Sequence, residues 1–107
     1  QRGGGVFGGS HYSAAKAAVL GYTKAAAREL GPDNIRVNAI CPGYIATEMV
    51  KAIDEKVLNE RIIPQIPVGR LGEPSEIART VQFLSADDAG FITGANIPVN
   101  GGYFMDF

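Results

Sequence analysis

Tyr12 and Lys16, in the run Tyr12-Ser13-Ala14-Ala15-Lys16, are the side chains with the clearest chemistry in this sequence. Residues i and i+4 of a helix share one face, about one turn apart. A phenol beside a fixed ammonium is a proton-transfer device. The positive charge favours phenolate and draws the tyrosine pKa down from its reference near ~10. That brings the phenol towards the pH at which a general acid works best. Read alone, the same five residues equally fit a helix start with one packed Tyr and one solvated Lys. The neighbours add nothing decisive. Ser13 would point away from the phenol on a helix, and His11 need not face the same way.

A second set of candidates is Pro42-Gly43-Tyr44-Ile45-Ala46-Thr47, directly after an apolar, β-branched run. In open α/β sheets ligands bind outside the carboxyl ends of strands. Backbone groups there can hydrogen-bond a flat carboxamide, and Gly43 permits close approach. The plainer alternative is a strand-ending turn whose Thr47 caps the next helix.

These groups need elements to position them. The Gly-rich stretch 1–10 predicts a loop. It lacks the Gly-x-Gly-x-x-Gly spacing and is not read as a phosphate cradle. His11 to Leu30 predicts a helix, rich in Ala, with Val19, Leu20, Tyr22, Ala26 and Leu30 apolar at helical spacing. Ala and Gly21 along one side would admit another helix closely. Gly31-Pro32 ends the helix and Asp33-Asn34 turns the chain. Ile35 to Cys41 alternates and predicts a strand, in which Asn38 would hydrogen-bond within the sheet. Glu48 to Ile63 reads as one or two short helices, with Met49 and Ile53 facing either an acyl pocket or the core. Glu73-Pro74-Ser75-Glu76 opens a helix, with Ile77, Ala78, Val81, Phe83 and Leu84 inward. Asn96 to Asn100 is a second short strand. Two strands separated by helices imply parallel pairing through a crossover. Such sheets are covered on both faces and have more strands than two.

The 107 residues carry a formal net charge of -1, with Lys and Arg scattered. That argues against nucleic acid as a partner, which calls for a basic patch. The sequence has no apolar run long enough to span a membrane, and Gln1 to Gly5 do not read as a signal peptide, since no apolar core follows the charge. Cys41 is the only cysteine and His11 the only histidine, so neither an internal disulfide nor a metal site is expected. A reducing, cytoplasmic location fits, and Cys41 reads as a small buried residue.

Taken with Tyr12/Lys16, three further runs set a family resemblance: Asn38 to Thr47, Gly90-Phe91-Ile92-Thr93-Gly94-Ala95, and Val99-Asn100-Gly101-Gly102. In this order and spacing they resemble the C-terminal half of a short-chain dehydrogenase/reductase, over the whole of residues 1–107. The resemblance implies an α/β fold, the C-terminal half of a Rossmann-type doubly wound parallel sheet. It implies hydride transfer between NADP or NAD, in reduced form, and a ketone. Gly43 to Val50 and Pro67-Val68-Gly69-Arg70-Leu71-Gly72 look most like members acting on 3-oxoacyl thioesters, either acetoacetyl-CoA or a 3-oxoacyl carrier protein. Tyr12 would then be the proton donor, and Lys16 would lower its pKa and hold the ribose hydroxyls. Pro42, Gly43, Ile45 and Thr47 would meet the cofactor, Ile45 through its backbone at the nicotinamide carboxamide and Thr47 through its hydroxyl at carboxamide or phosphate. Arg61 and Lys51 would attract a phosphorylated carrier or simply be solvated. The family's catalytic Ser and its dinucleotide-binding half are expected upstream of Gln1. Relatives pack the C-terminal end at a subunit contact, so the apolar tail Tyr103 to Phe107 implies a homo-oligomer, tetramer or dimer. The alternative is a catalytically inactive piece that only self-associates, or one completed by a half supplied by a partner.

Overall fold

The computed structural model describes residues 2–103, and their side chains from Ala14 onwards. The described chain forms an α-helix α1 (Arg2–Leu30), a strand β1 (Ala39–Pro42), short helices α2 (Glu48–Lys51) and α3 (Glu55–Val57), a helix α4 (Pro74–Ser85) and a strand β2 (Asn96–Val99). Among the described residues no helix is long and apolar enough to cross a membrane.

Helix α1 corrects the sequence reading at its start. It extends back to Arg2, through the glycines predicted as loop. Each glycine is about 1 kcal/mol worse than Ala in a helix interior, so propensity does not put them there. The other end is as expected. The Gly31–Asp33 turn closes the helix, and Asn34 follows with φ 64°, a left-handed conformation that Asn tolerates.

Close packing divides the described residues into two compact units, 2–39 with 90–96, and 40–89 with 97–103. In the first, α1 buries Thr23, Ala26 and Ala27. Thr23 satisfies its hydroxyl by donating to the Val19 carbonyl at 2.7 Å. A Cβ at Gly94 would sit 3.4 Å from the Ala27 methyl, and Lys24 Nζ donates to the Gly94 carbonyl at 3.3 Å. Of the stripe that the apolar spacing predicted, Ala26 is buried and Leu20 and Leu30 are half-buried. Val19 and Tyr22 are exposed, and nothing lies within 4 Å of where a Gly21 side chain would begin. Small residues set the buried face here because they are the ones that let the 92–95 loop come close.

The expected strand over Ile35–Cys41 is shorter than predicted, since residues 37–38 are held by side chains. Thr93 Oγ1 accepts from the Val37 N–H at 3.0 Å. The Asn38 amide donates to the Ile92 carbonyl at 3.1 Å and accepts from the Ala95 N–H at 3.0 Å. Asn38 is thus structural, as its place in a strand pattern suggested. β1 and β2 pair directly. Ala39 N–H donates to Ala95 C=O and Gly43 N–H to Val99 C=O, so both strands advance together and the pair is parallel.

In the second unit the buried residues are Ile45, Ile66, Leu84 and Ala89. Pro74 stands in the first turn of α4, and the Glu73 N–H donates to the Glu76 carboxylate at 2.8 Å, half of a capping box. Leu84 and Ile77 turn inward as expected, whereas Ala78, Val81 and Phe83 are exposed. Their side chains have no layer over them among the described residues. Residues 48–65 form α2 and α3, a π-helical turn over Leu58–Ile62 and a 3-10 turn over Ile63–Gln65, close to the short helices expected.

Candidate active site

The loop that leaves β1 is built by three local constraints. The first is Gly43, whose N–H continues the strand pairing to Val99. A Cβ there would lie 2.7 Å from the Asn100 Cβ and 2.8 Å from its Cα. The sequence reading gave this glycine's missing side chain to an approaching carboxamide. The structure supplies another cause: the Asn100 backbone already occupies the space.

The second constraint is a parallel bridge between Ile45 and Gly72. Gly72 N–H donates to the Tyr44 carbonyl at 2.9 Å, and Ala46 N–H donates to the Gly72 carbonyl at 2.8 Å. In this pattern the flanking peptides face Gly72, and the N–H and C=O of Ile45 itself face the other way. The Ile45 carbonyl then accepts from the Thr47 N–H at 2.7 Å, closing a tight turn. The third is Thr47 as N-cap of α2. Its Oγ1 accepts from the Val50 N–H at 3.3 Å. The plainer sequence alternative for Thr47 is therefore present, and it leaves the hydroxyl a proton to donate.

Pro42, Gly43, Ile45 and Thr47 line one cavity of about 460 Å³, joined there by Val50, Pro74 and Ile77. The four residues singled out in the sequence are thus brought together. The last three were missed. A four-residue helix is too short for periodicity to say which side faces a cavity, and Met49, read as facing either an acyl pocket or the core, is 82% exposed. Pro74 was legible only as a helix start.

A smaller space of about 170 Å³ is lined on the other side by Tyr44, Val68, Arg70 and Glu76, among others. Arg70 and Glu76 form a forked ion pair, Nη1–Oε1 2.9 Å and Nη2–Oε2 3.0 Å. The Arg70 fork, helped by the Glu73 N–H, holds the Glu76 carboxyl down at about 2. The same fork raises the Arg70 guanidinium above its ordinary value. Tyr44 packs against Tyr103, ring centroids 5.4 Å apart. Beyond Tyr103 the apolar tail lies outside the described residues.

Tyr12 and Lys16 both lie on α1 with the i, i+4 spacing expected of them. Lys16 is half-buried. The Tyr12 side chain lies outside the described residues.

Residues 2–104 match a family model described as Enoyl-(Acyl carrier protein) reductase. The chain is 70% identical over 101 residues to the acetoacetyl-CoA reductase of Shinella zoogloeoides, covering 94% of this chain and 42% of that protein. It is 48% identical over 101 residues to a 3-oxoacyl-(acyl-carrier-protein) reductase of Pseudomonas aeruginosa, covering 94% and 40%. The crystal structure of a 3-oxoacyl-(acyl-carrier protein) reductase from Brucella melitensis superposes with a TM-score of 0.82 at 44% identity, over 90% of this chain and 35% of that one. The chain spans about two fifths of the length of the curated relatives it matches.

Proposed function

The chain belongs to the short-chain dehydrogenase/reductase family, and from that premise we propose that it works as part of an oxidoreductase moving a hydride between NADPH or NADH and the keto group of a 3-oxoacyl thioester. Acetoacetyl-CoA or a 3-oxoacyl carrier protein is the substrate class, the reading favoured by the names of the relatives. The observation that carries it is the cavity lined together by Pro42, Gly43, Ile45 and Thr47.

The residues present suit a flat, amide-bearing ring. The walls from Pro42, Val50, Pro74 and Ile77 are apolar, and the Ile45 N–H is turned away from its sheet-like partner Gly72. The Ile45 peptide and the Thr47 hydroxyl would hold the carboxamide. When bound, the reduced nicotinamide supplies the hydride. Tyr12 gives its phenolic proton to the substrate's carbonyl oxygen as that oxygen gains charge, so ketone becomes secondary alcohol. Lys16 stabilises the resulting phenolate and binds the ribose hydroxyls.

The test is consumption of NADPH with acetoacetyl-CoA by the whole oxidoreductase of which this chain is part, followed by the absorbance of the reduced cofactor. Turnover that falls roughly 100-fold or more in Tyr12→Phe is the expected result. Turnover untouched by Tyr12→Phe removes the phenol from the mechanism.

A second reading rests on a different observation. Among the described residues no large side chain is fully buried, while Phe83 and Phe91 stand 60% and 102% exposed. A chain with so thin a core gains by associating, and a folded but inactive chain would leave self-association as its role.

A further inference from the structure

The loop that carries Ile45 and Thr47 is backed by a segment that the proposed chemistry does not use. Residues 70–73 run alongside Tyr44–Ala46, and Gly72 makes both hydrogen bonds of the bridge. A Cβ on Gly72 would come within 2.8 Å of the Ile45 Cδ1, so the two residues are already in tight contact.

One ion pair locks this segment. Arg70 grips Glu76 with both guanidinium nitrogens and also donates from Nη1 to the Leu71 carbonyl at 3.0 Å. Glu76 Oε1 additionally accepts from the Glu73 N–H at 2.8 Å. Exposed ion pairs as a class contribute little to global stability. A forked guanidinium–carboxylate pair is different in what it fixes: two parallel bonds define an orientation as well as a distance. Here four bonds start and end within residues 70–76, and the two of the fork have Gly72 between their ends. Residues 71–73 then have few ways to move independently of α4.

We infer that Arg70 and Glu76 are positioning residues for the Tyr44–Thr47 loop: their fork holds Gly72 against it and so presents the Ile45 peptide in one orientation. They act through Gly72 and through the bridge. Naming the nicotinamide carboxamide as the group this peptide meets rests on the proposed function, whereas the holding of the loop stands by itself.

The experiment compares the unsubstituted chain with Arg70→Met, by amide hydrogen exchange and by NADPH titration followed on the amide resonances. Arg70 is exposed, so the variant keeps the buried residues intact. The expected result is exchange roughly tenfold faster at the Ala46 and Gly72 N–H groups, since local opening reports the local lock. The Ala39 and Gly94 N–H groups, bonded to Ala95 and Val37, keep their rates. NADPH shifts the Ile45–Thr47 amides in the unsubstituted chain, with affinity severalfold weaker in the variant. Unchanged exchange at Ala46 and Gly72 overturns the inference, and so does equal acceleration at all four amides, which would mean general destabilisation. Faster local exchange with NADPH affinity unaltered also overturns it, because the loop would then need no holding. Faster local exchange in a chain whose Ile45–Thr47 amides ignore NADPH supports the lock and overturns the cofactor reading instead.

Discussion

Two glycines show how the same residue type answers to different causes. Gly43 has the Asn100 backbone where its side chain would start, and backbone cannot swing aside. Gly43→Ala is therefore expected to destabilise by roughly 1–3 kcal/mol, the usual penalty of forced overpacking. Gly21 sits inside α1 with open space around it. Gly21→Ala is expected to stabilise by about 0.5–1 kcal/mol through helix propensity. Urea unfolding of both variants checks the pair, and equal losses would refute the reasoning. Thr47 gives a third case. Thr47→Ala removes the Oγ1 that caps α2 and is expected to lose about 1 kcal/mol, while Thr47→Ser keeps the cap. At this scale the sequence singled out Gly43 and Thr47, and the structure gives each a structural task. That Gly43 and Thr47 matter was legible, but the partner of Gly43 was not. Asn100 is distant in sequence, and no local pattern encodes which strand will lie against which turn.

Elements were legible in proportion to their local signals. Pro74 with Glu76 marked the start of α4, and Gly31-Pro32 with Asn34 marked the end of α1, because caps and breakers act within one turn. The buried faces of both helices were misjudged, at Val19 and Tyr22 and at Val81 and Phe83, because what a helix buries depends on what is packed against it. The α4 start also carries a pH dependence. The Glu76 carboxyl is lowered from 4.5 to about 2 in the folded chain, mainly by its bond to Arg70 and then by the Glu73 N–H. A lowered acid pKa adds stability that is full above the unfolded value and is lost as pH falls through the folded one. The contribution should therefore be complete above about pH 4.5 and fade towards about pH 2. Unfolding midpoints of the chain and of Glu76→Gln, measured from neutral pH downwards, should converge over that window. Parallel curves across it would mean that the ion pair is not formed in solution.

The whole molecule poses a question of coverage. A domain of about 100 residues ordinarily buries well over half of the surface its unfolded chain exposes. Here the described residues offer only Ile45, Ile66 and Leu84 as large buried apolar side chains, each still touched by solvent. Phe83 on α4 and Phe91 after it are exposed at 60% and 102%, and Tyr22 on α1 at 73%. Single exposed apolar residues are ordinary, but aromatic ones in this number invite partners. Among the described residues the sheet is a single parallel strand pair, and such pairs normally belong to sheets with more strands. Burial of these side chains between copies would repair the deficit at a contribution of roughly 1.5–3 kcal/mol for each one fully covered. The chain is therefore expected to elute from gel filtration above its monomer size, with the apparent mass falling on dilution. Phe83→Ser and Phe91→Ser should each shift elution towards the monomer and leave helix content unchanged, since neither residue is buried in its own unit. A concentration-independent monomer would defeat this expectation, and would place the whole burden of stability on the small buried clusters around Ala27 and Ile45.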